Sequence, residues 1–318
     1  MPPQRPIPPA LRHRPFRIAD AATLGVSVDV LRGKRFRSPF AGVYVATEVP
    51  DTLGCKADAA RLVMPAGTVI SHHTAAELRG LPIPSHGSVH LSTPVRGAGR
   101  RLGIVSHRCA PPAVRFAGRL LSTPTENFLE LAATLSLVDL VILGDAMVRR
   151  GFVTCAQLVE AVATTSRRRG VRVARRAADL VRPRVDSPME TRVRLLIVLA
   201  GLPEPVPNLD VRDDHGERVG RADLIYALYK IILEYDGDLH RTKKGKWRID
   251  VATREEYRRL GYDVVVLLPD DVFVHPRLTL DRIRDALVRR GHPAVPDVLA
   301  PDWAVHLPPS PPIASPWR

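Results

Sequence analysis

The chain has 318 residues, enough for two or three domains each with its own core, and an ordinary apolar share of 45%. No apolar run approaches the roughly 18 residues that span a bilayer, and Met1 to Pro15 is Pro- and Arg-rich with no apolar centre, so a soluble, cytoplasmic chain is expected. The formal net charge of +14 points to an acidic partner such as nucleic acid. Cys55, Cys109 and Cys155 are odd in number and form no CxxC pair, which argues for buried reduced thiols and against a disulfide framework or a zinc site.

The charge is unevenly spread, with 27 Lys and Arg against 13 Asp and Glu over residues 1–186, and 20 against 20 over 187–318. That asymmetry fits a basic DNA-holding part joined to a balanced module whose carboxylates do more than solubilise. An Arg-rich surface without a nucleic-acid partner is the bland alternative. The basic stretch Arg167 to Leu180, followed by Val181-Arg182-Pro183-Arg184-Val185-Asp186, marks a domain junction at residue 186.

Residues 1–15 are expected to form a disordered basic arm. Residues 16–47 are predicted to form a winged helix-turn-helix. A short helix covers Arg17 to Leu24, Gly25 makes the turn, and Ser27 caps a second helix running to Lys34. A hairpin wing follows from Phe36 to Val45, with Pro39 and Gly42 at the bend. Arg32, Lys34, Arg35 and Arg37 fall where phosphate contacts are expected, or make up a solvated face.

Residues 48–186 read as mixed α/β. Strands are expected near Val69, Val89 to Leu91 and Ile104-Val105, with helices at Pro124 to Leu137 and Leu140 to Arg149 and a basic helix at the end. His72, His73, His86, His90 and His107 match no compact metal-ligand spacing and read as cap, surface or core residues. Ile18-Ala19-Asp20-Ala21-Ala22, Pro39-Phe40-Ala41-Gly42-Val43-Tyr44-Val45 and Ser71-His72-His73-Thr74-Ala75-Ala76-Glu77-Leu78-Arg79-Gly80-Leu81 resemble the N-terminal part of AbiEi-type antitoxin and transcriptional-regulator proteins. The resemblance covers about residues 16–95 and implies DNA binding by a winged helix, with an antitoxin-type protein partner as a further option.

From Ser187 the elements become more legible. Met189, Val193, Leu196, Ile197 and Ala200 share one helix face, and Gly201 and Pro203 end it. Strands near Leu209 to Arg212, Val219 to Tyr226 and Lys230 to Tyr235 follow, the first two joined by the turn Asp213-Asp214-His215-Gly216. A helix from Lys246 to Leu260, a strand from Tyr262 to Leu268 and a helix from Leu278 to Arg290 complete an αβββαβα order within a mixed α/β (α+β) chain. Residues 291–318 are a Pro-rich tail expected to be irregular.

Asp223 lies within one strand and Glu234 closes the next, so strand pairing can bring both carboxylates to one sheet edge. Two carboxylates in an apolar setting repel unless a cation joins them, and hard oxygen ligands suit Mg²⁺ or Mn²⁺. Such an ion activates water and stabilises charge on a phosphate.

Ser187-Pro188-Met189-Glu190, Gly220-Arg221-Ala222-Asp223-Leu224, Glu234-Tyr235-Asp236-Gly237-Asp238-Leu239-His240, and Asp250 with Arg254 resemble the endonuclease-like family related to very-short-patch-repair (Vsr) enzymes, in the PD-(D/E)xK superfamily. The resemblance covers residues 187–290 and implies a restriction-endonuclease-like core. It further implies that Asp223 and Glu234 hold the metal, that Glu190 supports it or a water, and that Asp236, His240, Asp250 and Arg254 line the site.

Glu190 also has a capping-box reading with Ser187, His240 a loop-cap reading, and Asp250 with Arg254 a surface ion-pair reading. The superfamily motif ends in a Lys two positions after the second acid, where this chain has Asp236. Arg254, His240, or a residue of the Arg241, Lys243, Lys244, Lys246 loop, itself suited to phosphate, could replace it.

Three functions stand open: a metal-dependent DNA endonuclease or nickase (a hydrolase), an inactive DNA-binding regulator or antitoxin-like protein, and an RNA-directed nuclease of the same fold.

Overall fold

The computed structural model describes residues 6–95, 101–237 and 244–310, for 244–250 the backbone alone. These residues form a mixed α/β chain that divides into two units, Met1–Leu131 and Ala132–Arg318.

The first unit opens with α1 (Pro9–Arg12), β1 (Phe16–Arg17), α2 (Ile18–Thr23), α3 (Val28–Leu31), β2 (Phe36–Phe40) and β3 (Val43–Ala46). The strands form a small sheet in the order β1-β3-β2. Phe16 and Phe36 meet edge to face with centroids 5.8 Å apart, and Ile7, Leu11, Ala21 and Leu31 pack in the same cluster.

Two expectations change here. Burial of Ile7 and Leu11 gives residues 6–15 a place in the core, so this part of the expected arm is ordered. The second helix ends at Leu31 and not at Lys34. Gly33 is a poor helix former, and its carbonyl accepts the Phe36 N–H as the chain turns into β2.

The unit continues through α4 (Leu53–Leu62), β4 (Val69–Ile70), α5 (His72–Leu78), β5 (Val89–Thr93), β6 (Ile104–Arg108), β7 (Ala113–Phe116), β8 (Arg119–Ser122) and α6 (Pro124–Leu131). The sheet order is β6-β5-β4-β8-β7, with the β5/β6 and β4/β8 pairs parallel. Ala57, Ala60, Met64 and Ala75 from the helical side pack against Ile70, Val89, Leu91 and Leu121.

The second unit begins with α7 (Leu137–Arg149), α8 (Cys155–Thr164) and α9 (Val171–Leu180), which pack together and, through α7, against α10 (Pro188–Leu199). The unit boundary therefore lies at 131/132 and not at the junction expected at residue 186. Asp145 on α7 gives the physical reason. Its buried carboxylate accepts the Arg182 N–H at 2.8 Å and the Thr191 hydroxyl at 2.8 Å, and pairs with the fully buried Arg194 at 3.0 Å. Arg194 also reaches Glu204 at 2.8 Å, so charges on both sides of residue 186 are buried as one network.

Ser187 caps α10 by accepting the Glu190 N–H at 3.2 Å, and Pro188 occupies the first turn. Gly201, at φ +77°, lets the chain leave the helix, with the Leu202 N–H on the Ile197 carbonyl. Then come β9 (Val206–Arg212), β10 (Arg218–Tyr226), β11 (Ile231–Tyr235), α11 (Lys244–Arg259), β12 (Asp263–Leu267), α12 (Pro269–Phe273), α13 (Pro276–Arg289) and α14 (Asp302–His306).

The sheet order is β12-β11-β10-β9, antiparallel except for the β11/β12 pair. Apart from the one-turn α12, the αβββαβα order is the one read from the sequence. The tail is not wholly irregular. Leu299, Trp303 and Leu307 are buried, and the Ala300 N–H bonds the Ala200 carbonyl.

No helix among the described residues is long and apolar enough to cross a membrane. None of the three cysteines forms a disulfide. Cys109 is exposed and Cys155 half-buried, and only Cys55 is buried as expected.

Candidate active site

The β10/β11 pairing places Leu224 opposite Leu233 and Ile225 opposite Ile232. One step further along this register, Asp223 faces Glu234, and residues directly opposite in an antiparallel pair project to the same side. Asp223 Oδ2 accepts the Tyr235 N–H at 2.9 Å, which fixes the carboxylate at the end of the strand pair. Burial pushes its pKa up to about 6. The Tyr235 N–H opposes the shift, nearby Glu190 adds to it, Arg254 opposes and Asp186 adds.

Glu190 is 7% exposed on the first turn of α10. Its Oε2 accepts the Asp186 N–H at 2.8 Å and the side-chain amide of Asn208. Ser187 thus supplies half of the expected capping box, while the Glu190 carboxylate turns one residue further back and toward β9. Asn208, buried on β9 at φ +50°, was not singled out by the sequence reading; asparagine tolerates this backbone region better than most residues.

Asp236 stands two positions after Glu234, and its carboxylate pairs with Arg254 at 3.2 Å, both side chains largely buried. Arg254 therefore has a partner inside the site, and its charge is felt by Asp223. Tyr257, one turn further along α11, is 1% exposed; burial first, then the charges of Glu234 and Asp223, push its phenol up.

The helix comes this close because residue 220 has no side chain. A Cβ there would lie 2.7 Å from Thr253 Cγ2 and closer still to the Tyr257 hydroxyl. Gly220 inside a strand was the available signal for this close approach.

The structure thus gathers Glu190, Asp223, Glu234, Asp236 and Arg254 around one end of the sheet. His240, Arg241 and Lys243, and the side chains of Lys244, Lys246 and Asp250, lie outside the described residues.

Of the basic candidates in the first unit, Arg32 and Lys34 are exposed and Arg35 is half-buried. Arg37 is used inside the fold. Its guanidinium donates to the Val49 carbonyl at 2.6 Å and faces Asp51 at 3.6 Å, which ties the wing to the segment before α4.

No group of three or more His, Cys, Asp or Glu among the described residues is arranged to hold a metal ion. Asp223 with Glu234 is a two-carboxylate arrangement, which fits Mg²⁺, an ion that commonly takes one or two protein carboxylates and fills its shell with water and phosphate oxygens.

Over 249 residues the chain is 28% identical to uncharacterized proteins of Mycobacterium tuberculosis strains CDC 1551 / Oshkosh and H37Rv, covering 78% of this chain and 91% of each relative. An alignment of that length exceeds either unit alone and so includes residues of both. No protein-family model and no solved structure matches the chain.

Proposed function

We propose that this chain is a cytoplasmic Mg²⁺- or Mn²⁺-dependent DNA endonuclease or nickase, similar to the Vsr-like branch of the PD-(D/E)xK superfamily, whose basic first unit holds the DNA. The observation that carries the reading is the opposition of Asp223 and Glu234 on paired strands, with burial and Glu190 driving the Asp223 pKa up to about 6.

Asp223 and Glu234 are the ligands for the ion. When bound, the ion lowers the pKa of a water and offsets charge developing on the phosphate. Glu190, held by the Asp186 N–H and Asn208, stands beside Asp223 to orient a water. Arg254 supplies the cation that the motif lysine supplies elsewhere in the superfamily, and Asp236 fixes its direction. The test is nicking of supercoiled plasmid by tag-free protein with Mg²⁺ or Mn²⁺, against a chelator control.

A second reading, a DNA-binding regulator with an inactive nuclease fold, is favoured by that same Asp236, because its ion pair partly neutralises the replacement cation. Gel-shift binding without cleavage of DNA or RNA under either metal selects this reading.

A further inference from the structure

Five of the 11 histidines, spread over residues 72–107, converge in the first unit. His72 and His73 open α5, His86 lies in the loop after it, His90 is on β5 and His107 on β6. The rings of His73, His86 and His90 form a triangle with centroids 5.1, 4.9 and 4.3 Å apart. His107 lies 5.3 Å from His90 and stacks on His72 at 3.4 Å. His90 Nδ1 and His107 Nε2 are 3.0 Å apart.

The arrangement is held from behind. His72 sits at φ +50°, a backbone region unusual for any residue but glycine or asparagine. Its N–H donates to Glu130 Oε2 at 2.9 Å and its carbonyl accepts from Asn127 Nδ2 at 3.0 Å. His73 and His90 are 6% and 4% exposed, and His73 Nδ1 and His90 Nε2 have no hydrogen-bond partner among the described residues. Orphaned buried nitrogens are costly for packing alone. His86, by contrast, is exposed and His107 half-buried, so the cluster opens to solvent on one side.

These spacings can be compared with a known chemistry. Zinc held tetrahedrally by imidazoles has nitrogens about 2 Å from the ion, hence roughly 3.3 Å from one another, with ring centroids about 5 Å apart.

We propose that His73, His86, His90 and His107 form a site for one divalent transition-metal ion of the imidazole-preferring kind, Zn²⁺ foremost. Binding turns the rings about their Cβ–Cγ bonds so that nitrogens face the centre, because the donor atoms as they stand do not hold an ion. Burial, with the neighbouring imidazoles adding, lowers the His73 pKa to about 4 and that of His90 to about 3, so both are neutral, the ligating form, at ordinary pH. The ion would tie α5 and its following loop to β5 and β6. The four histidines belong to the first unit and the carboxylate pair to the second, and imidazoles prefer a softer metal than carboxylates do.

Titration calorimetry of tag-free, chelator-treated full-length protein with ZnCl₂ tests the site. One equivalent with Kd below about 10 µM is expected. His86→Ala and His107→Ala, at accessible positions, are each expected to weaken binding at least about tenfold without moving the melting temperature of the metal-free protein, and Asp223→Asn is expected to leave zinc binding unchanged. Weaker binding by wild type, or undiminished binding by both histidine variants, overturns the proposal.

Discussion

Asp223 carries a stability cost that follows from its position. Its carboxyl titrates at about 6 when folded, against an ordinary 3.8, so between these values the folded protein binds more protons than the unfolded chain. Stability from this group is full below about pH 3.8 and lost as pH rises through 6. Asp223→Asn retains an acceptor for the Tyr235 N–H and removes the charge. In metal-free protein it is expected to stabilise by up to ~3 kcal/mol near pH 8 and to have little effect near pH 4. Thermal melts at the two pH values check this, and an equal loss at both would show that the carboxylate is not under strain. His73 and His90 run with the opposite sign. Their folded pKa values lie below the ordinary 6.5, so their contribution is intact above 6.5 and falls as the medium is acidified toward about 4 and 3. Between pH 6.5 and about 5, His90 alone is expected to contribute up to ~2 kcal/mol to the loss, and His90→Gln to flatten the pH dependence by that amount. Urea titrations of wild type and variant across this range measure it. An unchanged slope would mean that His90 is not held neutral.

At the scale of elements, the C-terminal order was legible because each segment carries its own period. Met189 to Ala200 repeat at helical spacing, and the strands around Asp223 and Glu234 are bounded by recognisable turns. In the first unit, β7 exposes Ala113, Val114 and Arg115, leaving no alternation to read, and β4 is only two residues long. Asp223, Glu234 and Glu190 could be singled out from residue type and motif. Asn208 and Tyr257 could not, because what brings them to the site is a backbone turn at φ +50° and the approach of α11 to β10. That approach depends on Gly220. Gly220→Ala puts a methyl group into Thr253 and Tyr257 and is expected to cost about 1–3 kcal/mol. Adding Thr253→Ala and Tyr257→Phe is expected to restore part of it, as read by denaturant melts. No loss in the single variant would contradict the packing described.

For the whole molecule, charge and contact divide the chain at different places. Residues 1–131 hold 17 Lys and Arg against 8 Asp and Glu, and 132–318 hold 30 against 25, so the larger surplus goes with the first unit. The basic helix α9 nevertheless belongs to the second, because the Asp145, Arg194 and Glu204 network spans residue 186. Separate fragments 1–131 and 132–318 are therefore expected to melt cooperatively, whereas a cut after 186 leaves the buried Asp145 carboxylate without Arg194, an uncompensated buried charge worth about 3–5 kcal/mol. Circular dichroism melts of the four fragments decide between the two divisions, and cooperative melting only for the pair cut after 186 would reverse the assignment. Fragment 1–131 is further expected to bind duplex DNA with an affinity that falls steeply with salt.

The most direct test of the central claim is metal-dependent nicking of supercoiled plasmid by wild type, Asp223→Asn, Glu234→Gln and Glu190→Gln, with DNA binding followed in parallel. The expected result is cleavage by wild type, a loss of orders of magnitude in the Asp223 and Glu234 variants, and an intermediate rate for Glu190→Gln. DNA binding should be retained or tighter, since each change removes a charge that repels phosphate. Wild type that nicks while the Asp223 and Glu234 variants nick equally fast contradicts the assignment of the metal to these two carboxylates.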